Sequence, residues 1–236
     1  MNNKNNKKCA FTLAEVLITL GIIGVVAAMS IPTLLASIDK KSTVSKLQRS
    51  IAVINQAQQL SDEGTGGISP TEAITLGSKK YFDTYWAPYI KAVTFCDTYA
   101  RCGYSSNTPF LSSNGKKASS ALQIVHNSRI AFYTPDGFLY LVTNARYTGG
   151  NKVKENSANV VVDINGSQGP NRFGRDVFVL VRLTEGKGIV PLGLELSDTE
   201  VKKGCSKQNQ NEPVSKGYCA EWIRRSGWKI PKDYPW

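Results

Sequence analysis

The sequence has little of what most enzymes use for catalysis. It has a single histidine, His126, in 236 residues, and we predict that this residue lies in a strand and is neither a ligand nor a base. The motifs G-x-x-x-x-G-K-[ST], G-x-G-x-x-G, G-x-S-x-G and H-E-x-x-H are all absent. These motifs bind phosphates or dinucleotides, present a nucleophilic serine or hold zinc. We therefore predict that the chain is not an enzyme.

Basic residues outnumber acidic ones, but they are not clustered. The formal net charge is +11, and no run of five or more Lys and Arg residues occurs. A basic balance is compatible with nucleic acid, an anionic membrane or a well-solvated surface. We favour a solvated surface, and nucleic acid is a possible partner that the sequence does not favour.

Cysteines are few, and four of the five form two close pairs in the sequence, Cys96 with Cys102 and Cys205 with Cys219. The fifth is Cys9. Close pairs in an even number suit two disulfide bonds and an oxidising compartment. Three pairings are formally possible, and we predict the sequential one. A zinc site would need C-x-x-C or Cys/His spacing, which is missing here.

The first forty residues contain a long segment with almost no charge. Between Lys8 and Asp39 the only charged residue is Glu15. As a helix, this segment could span about 30 Å of hydrocarbon. A carboxylate in the membrane costs about 3 kcal/mol, so it is expected to have a function. A secretory signal peptide would end in a small-residue cleavage site that is not found after this run, and a plain membrane anchor would not explain Glu15.

The residues before the apolar run resemble a known processing signal. This segment is similar to the class III signal of type IV prepilins and type II secretion pseudopilins. Its residues are Ala10-Phe11-Thr12-Leu13-Ala14-Glu15. The resemblance implies that a prepilin peptidase cuts between Ala10 and Phe11 and that the new amino group of Phe11 is methylated. Glu15 then becomes the fifth mature residue, as the family expects, whereas Ala10 stands where glycine is usual.

The resemblance also implies an architecture and partners. Residues 1–10 would be the leader, 11–62 a long helix that spans the inner membrane once at 11–35, and 63–236 an extracytoplasmic globular domain. Glu15 of one subunit would neutralise the Phe11 ammonium of another, which would set the register because an unpaired buried charge is costly. An assembly platform in the membrane would then join subunits into a filament in the periplasm or on the cell surface.

The helix is expected to continue beyond the membrane. Pro32 lacks a backbone N–H and should bend the helix without ending it. Four apolar residues then recur at helical spacing, so this face should pack on the globular domain. They are Val44, Leu47, Ile51 and Ile54. Glycines from Gly64 onward predict a helix end near Asp62.

The fold class predicted for the whole is α+β and pilin-like, with the long helix packed on an antiparallel sheet and a loop-rich, disulfide-stapled C-terminal region. A capping pattern at Ser69 predicts a second helix, and the aromatic run 81–90 predicts a short buried one. Strands are predicted at 122–126, 129–133, 138–142, 159–164 and 176–183, with a hairpin turn at 134–137. A short helix is predicted at 219–225. The aromatic tail after Gly227 either folds back onto the domain or forms a partner surface.

The segment 163–176 is rich in Gly, Asn and Asp and permits two interpretations. One is a Ca²⁺ loop, because hard oxygen donors at alternating positions suit Ca²⁺, and Asp163, Asn165 and Asp176 would be the ligands. The resemblance supports this interpretation, since major pseudopilins have a Ca²⁺-binding loop in this general region. The segment is not an EF-hand, because the closing Glu and the spacing are missing. Alternatively, Asn and Gly supply positive φ angles while Asp caps the turns. No other cofactor is expected.

Three functions remain open from the sequence. The main prediction is a structural subunit of a type IV pilus-like or type II secretion pseudopilus filament. A minor or tip subunit that recognises DNA, a surface or secreted cargo would use the same anchor, and salt-sensitive binding would favour it. The third is an unrelated membrane-anchored extracytoplasmic protein, which a polar cluster in a deep pocket would favour.

Overall fold

The structure, a computed structural model, describes residues 12–67, 75–91, 93–117, 122–144, 158–182, 188–208 and 217–236. The chain divides into two units, residues 1–41 and residues 42–236. Helix α1, Leu13–Thr65, begins in the first unit and ends in the second.

Helix α1 continues through its proline, as predicted. Pro32 lies inside the helix, and residues on both sides of it are helical; the bend stays a prediction. The helix ends at Thr65, three residues later than expected. Gly66 and Gly67 follow with φ of 77° and 76°, a left-handed conformation that glycine adopts without strain.

In its described residues, the larger unit contains a six-stranded sheet, the end of α1 and the short helices named here. Helix α2 is Ser78–Tyr85, and a 3₁₀ turn follows at Ala87–Tyr89. The strands are β1 Thr94–Phe95, β2 Arg129–Tyr133, β3 Leu139–Asn144, β4 Ala158–Asp163, β5 Val177–Arg182 and β6 Ile189–Pro191. Helices α3, Asp198–Gly204, and α4, Cys219–Arg225, complete it.

The sheet is an antiparallel meander in which the strands lie in sequence order, β1 to β6. The β2–β3 hairpin turns at Thr134–Gly137, where Thr134 N donates to Phe138 O at 3.1 Å and Gly137 has φ 79°. This confirms the predicted hairpin. Short connections explain the simple topology, because antiparallel neighbours need only a turn between them.

One face of the sheet packs on the second half of α1. The register aligns Phe132, Tyr140, Val162 and Phe178 across four strands on this face. The hydroxyl of Tyr140 donates to the Ser50 carbonyl of α1 at 2.9 Å, which places the helix on it. Three of the four apolar residues predicted to face the domain are buried and the fourth is half-buried; they are Val44, Leu47, Ile54 and Ile51.

A buried amide fixes α1 against α2 within this unit. Gln58 Oε1 accepts from Trp86 Nε1 at 2.9 Å and from the Tyr81 hydroxyl at 3.3 Å, while Gln58 Nε2 donates to Asp62 at 2.7 Å. Because a buried polar group without partners is costly, this network specifies one position of the helix. It also confirms that the aromatic run forms core. The fully buried residues of this run are Tyr81, Phe82 and Trp86.

The two predicted disulfides are present. Cys96 is bonded to Cys102 and Cys205 to Cys219, with Cα–Cα distances of 5.3 and 4.7 Å. The second bond joins the residue after α3 to the first residue of α4.

Opening the Cys205–Cys219 bond should destabilise the C-terminal region. The bond closes a loop of sequence separation 14, for which the chain-entropy model gives about 3 kcal/mol. We expect a Cys205→Ala/Cys219→Ala variant to unfold at a lower temperature than the native protein, measured by circular dichroism in detergent. The Cys96→Ala/Cys102→Ala variant is the comparison, and its loss should be slightly smaller. Equal melting of all three proteins would contradict the prediction.

The structure corrects one predicted strand and adds elements that were missed. Residues 122–126 form no strand, because the Asn107 side chain and carbonyl hold them: Asn107 Oδ1 accepts from Val125 N, and Asn107 O accepts from Ile124 N, both at 2.9 Å. His126 makes only an isolated bridge with Arg129. Strands β1 and β6 and helix α3 were not predicted. The predicted helix start at Ser69 lies outside the described residues.

The aromatic tail folds back onto the domain, which settles the alternative left open above. Tyr234 is buried, its ring lies 5.3 Å from that of Trp222, and its hydroxyl bonds to the Gly174 carbonyl. Trp228 and Trp236 are half-buried.

Candidate functional site

The start of α1 is closed by a reciprocal cap between Thr12 and Glu15. Glu15 Oε2 accepts from Thr12 N at 2.8 Å and from Thr12 Oγ1 at 2.7 Å, and Glu15 N donates to Thr12 Oγ1 at 3.2 Å. The first N–H groups of a helix lack partners within it, and this capping box supplies some. Among the residues that the structure describes, none bonds to Glu15 Oε1.

The predicted cleavage site directly precedes this cap in the sequence. Ala10 and Phe11, like Cys9, are outside the described residues. Thr12 was missed as a functional residue, although Thr12-x-x-Glu15 is itself the sequence pattern of a capping box. The pattern should have indicated that Glu15 has a partner within its own chain.

The first part of α1 exposes all of its large apolar side chains. From Leu13 to Ile38, every Leu, Ile, Val and Met is between 41 and 78% exposed. The helix is long and apolar enough to cross a membrane, with a mean hydropathy of 2.2 over its most apolar 18 residues. No described residue of this unit buries these apolar side chains, and burial in lipid or against other helices would be favourable.

Three hydroxyl groups of this apolar segment are satisfied inside the helix. Thr19 Oγ1 donates to the Glu15 carbonyl at 2.9 Å, Ser30 Oγ to the Val26 carbonyl at 2.8 Å, and Thr33 Oγ1 to the Ser30 carbonyl at 2.8 Å. A polar group without a partner is costly in hydrocarbon, and back-bonding to a carbonyl removes that cost. These residues therefore do not oppose burial of the segment in a membrane.

The loop after β4 brings the three candidate calcium ligands together. Asp163 Oδ1 accepts from Asn165 N at 3.2 Å, and Asp163 Oδ2 accepts from the buried Tyr104 hydroxyl at 2.9 Å. Asp176 accepts from the backbone N–H groups of Asn171 and Arg172 at 2.8 and 2.5 Å. Each carboxylate oxygen thus already has a donor within the protein, which favours the turn-capping interpretation. No group of three His, Cys, Asp or Glu suited to a metal occurs in the described ranges. Calcium binding stays a hypothesis.

Burial makes the Asp163 charge unfavourable. Desolvation, followed by repulsion from Asp176, raises the pKa of Asp163 well above its usual value. Desolvation likewise raises the pKa of Asp176. A carboxyl whose pKa is higher in the folded than in the unfolded state stabilises the fold at low pH and loses that contribution as pH rises through the folded pKa.

Neutralising Asp163 should therefore stabilise the protein at neutral pH. We expect Asp163→Asn to raise the free energy of unfolding at neutral pH, because the amide has no charge to desolvate, and to have little effect at acidic pH, where Asp163 is protonated in both the folded and the unfolded state. Asn keeps an acceptor for the Asn165 N–H. The measurement is thermal unfolding in detergent over this pH range, with EDTA and with about 1 mM Ca²⁺. The calcium hypothesis requires the opposite: Ca²⁺ would stabilise the native protein, and Asp163→Asn would abolish that stabilisation.

Two family models match parts of the chain. The prokaryotic N-terminal methylation motif, which is the signature of type IV pilins and pseudopilins, matches residues 5–31. The chain has a type IV pilin-like N-terminus. A family of unknown function (DUF6613) matches residues 183–236, the part of this pilin-like protein that contains β6, α3 and α4. No curated protein and no solved structure matches the chain.

The match agrees with the architecture. A long N-terminal helix, an antiparallel six-stranded sheet and two disulfides form the α+β, pilin-like layout predicted from the sequence. The methylation motif covers the membrane-length segment and includes Glu15, and pilin-type proteins with this motif are structural.

Proposed function

We propose that the protein is a structural subunit of a type IV pilus-like or type II secretion pseudopilus filament. A prepilin peptidase cuts it between Ala10 and Phe11, methylates the new Phe11 amino group and leaves the apolar helix as the assembly element. The methylation motif at residues 5–31 supports this processing. The protein waits in the inner membrane with its globular domain outside the cytoplasm and then joins other subunits through a membrane assembly platform.

The exposed apolar surface of α1 is the single observation on which the proposal rests. Fourteen large apolar side chains between Leu13 and Ile38 are exposed in the described part of the chain. Lipid covers them before assembly, and equivalent helices of other subunits cover them afterwards. The same apolar surface thus contacts lipid in the membrane and other subunits in the filament. A filament subunit that is taken from a membrane needs such a surface.

Glu15 has a role in each of these environments. In the single subunit its carboxylate caps its own helix through Thr12. In the filament, the carboxylate accepts from the Phe11 ammonium of another subunit, so that both charges are paired in an apolar bundle. A paired buried charge is tolerated where an unpaired one is not, so this contact selects one register between helices.

The test is the mass of the mature N-terminus. We expect the protein isolated from membranes and filaments to begin at Phe11 and to have one added methyl group on its amino terminus. An Ala10→Glu variant should remain uncut, with Lys7→Gln as a control that keeps the cleavage residues. A native chain that is intact from Met1, or that is cut after the apolar run, would contradict the proposal.

A further inference from the structure

A cavity of about 180 Å³ lies between α3, α4 and the turn after α4. The side chains that line it are Asp198, Val201, Lys202, Trp222, Arg225, Ser226, Pro231 and Asp233. All of them fall within residues 183–236, the segment matched as one family. The cavity therefore lies within one matched segment of the larger unit, and this segment is far from helix α1 in the sequence.

An ammonium group of the protein itself lines this cavity. Lys202 Nζ lies 5.3 Å from the centre of the Trp222 ring and 3.1 Å from Asp233 Oδ2. Proteins recognise alkylammonium ions with this combination of an aromatic face and a carboxylate. The Trp222 ring is held rigidly, because Trp222 is 7% exposed and packs against Tyr234.

The Lys202 contact is easily exchanged. The side chains of Lys202 and Asp233 are 53 and 61% exposed, and an ion pair that is so exposed adds little to stability. Lysine has a long flexible stem, so its ammonium can leave the ring without disturbing α3.

Arg225 and Asp198 also line the cavity, and hydrogen bonds hold them in place. Arg225 donates to Glu221, to Asp198 and to three loop carbonyls, so its guanidinium is fully engaged. Asp198 is 81% exposed, and Arg225 Nη1 bonds to one of its oxygens. When Lys202 moves away, the cavity contains an aromatic face and two carboxylates, with one fixed guanidinium at its side.

We propose that this cavity is a binding site for an alkylammonium group, with the Lys202 side chain as the internal competitor. A ligand ammonium replaces that of Lys202 over Trp222 and beside Asp233. The ligand is either a small quaternary or primary amine or a lysine side chain of another protein, since both present the same chemistry.

Choline is a suitable first probe, and isothermal titration calorimetry is the measurement. The full-length protein is kept in a maltoside detergent, which has no ammonium group. We expect Lys202→Met to bind choline about tenfold more tightly than the native protein, because the competing ammonium is gone while the apolar stem remains. Asp233→Asn in the Lys202→Met background should weaken this binding.

Two controls separate a site from general charge effects. Lys203→Met removes a neighbouring exposed lysine of the same helix that does not line the cavity, and it should bind choline as the native protein does. 3,3-Dimethylbutanol has the shape of choline without its charge and should not bind. Sodium chloride at the same ionic strength should give no heat of binding.

The proposal is overturned if Lys202→Met, shown to be folded by its melting temperature, binds choline no more tightly than Lys203→Met. It is also overturned if the uncharged analogue binds as well as choline. Titration with Nα-acetyl-lysine amide then identifies the source of the ligand: tighter binding than choline indicates a lysine side chain, and weaker binding indicates a small quaternary amine.

Discussion

A Glu15→Gln variant should be processed normally but excluded from filaments. Glutamine keeps an acceptor for the Thr12 N–H and hydroxyl, so the helix start should remain capped. What it removes is the negative charge that balances the Phe11 ammonium of another subunit. An unpaired buried charge costs about 3 to 5 kcal/mol, so incorporation should fall by about 100-fold or more. The measurement is the amount of variant in sheared filaments relative to membranes, by immunoblot.

A change in the Thr12–Glu15 cap could itself reduce incorporation into filaments, so two further variants are needed. Thr12→Val removes the two bonds that the Thr12 hydroxyl makes in the cap, and it keeps the Thr12 N–H and the charge of Glu15. Glu200→Gln alters a second capping box of the same geometry, formed with Ser197 in the globular part. We expect Thr12→Val to assemble more weakly than the native protein but far better than Glu15→Gln, and Glu200→Gln to assemble normally. If Thr12→Val fails as completely as Glu15→Gln, the cap and not the charge pair determines assembly.

Local patterns in the sequence were sufficient for the elements that depend on local physics. The helical spacing of Val44, Leu47 and Ile54 predicted the face of α1 that is buried. The turn residues at 134–137 predicted the β2–β3 hairpin, because glycine at a positive φ and the residues around it determine the turn without distant partners. The spacing of the cysteines was compatible with the bonds that form.

Elements that depend on distant partners could not be predicted in this way. Residues 122–126 have the composition of a strand, but the Asn107 amide, far away in the sequence, occupies the backbone groups of Val125 that a strand would use. Strand β1 has two residues and β6 has three, which is too short for any periodicity. Strand β6 is held from outside the sheet by Asn55, which accepts from Ile189 N at 2.7 Å and donates to Ile189 O at 2.6 Å.

The candidate sites also differ in whether they depend on local sequence or on distant partners. Glu15 could be identified because it is the one acid in an apolar run and lies in the processing motif. The Asp163 loop could not be interpreted, because the donor to one of its oxygens is Tyr104, 59 residues earlier in the chain. The cavity beside Trp222 was not anticipated, because only the fold brings Lys202 and Asp233 together.

The second large effect is expected at Glu221, a buried acid that joins two arginines. Its side chain is fully buried, and its oxygens accept from Arg224 Nε and Nη2 and from Arg225 Nε, each at 2.7 Å. Arg225 in turn donates to the carbonyls of Gly193, Leu194 and Leu196. Glu221 therefore holds the loop before α3 onto α4 through a charged group with no access to water.

Glu221→Gln should destabilise the protein by about 3 kcal/mol, because it leaves two guanidinium groups beside an amide that cannot neutralise them. For a chain of this size we expect the melting temperature to fall by about 6 to 12 °C. The matched control is Glu195→Gln, an exposed glutamate of the same loop, whose effect should be under about 0.5 kcal/mol. Near-ultraviolet circular dichroism measures this loss of stability, because Trp222 lies on the same helix and contributes to the signal. If both variants melt with the native protein, the Glu221 cluster contributes shape alone, and its charges are not what fixes α4 to the loop.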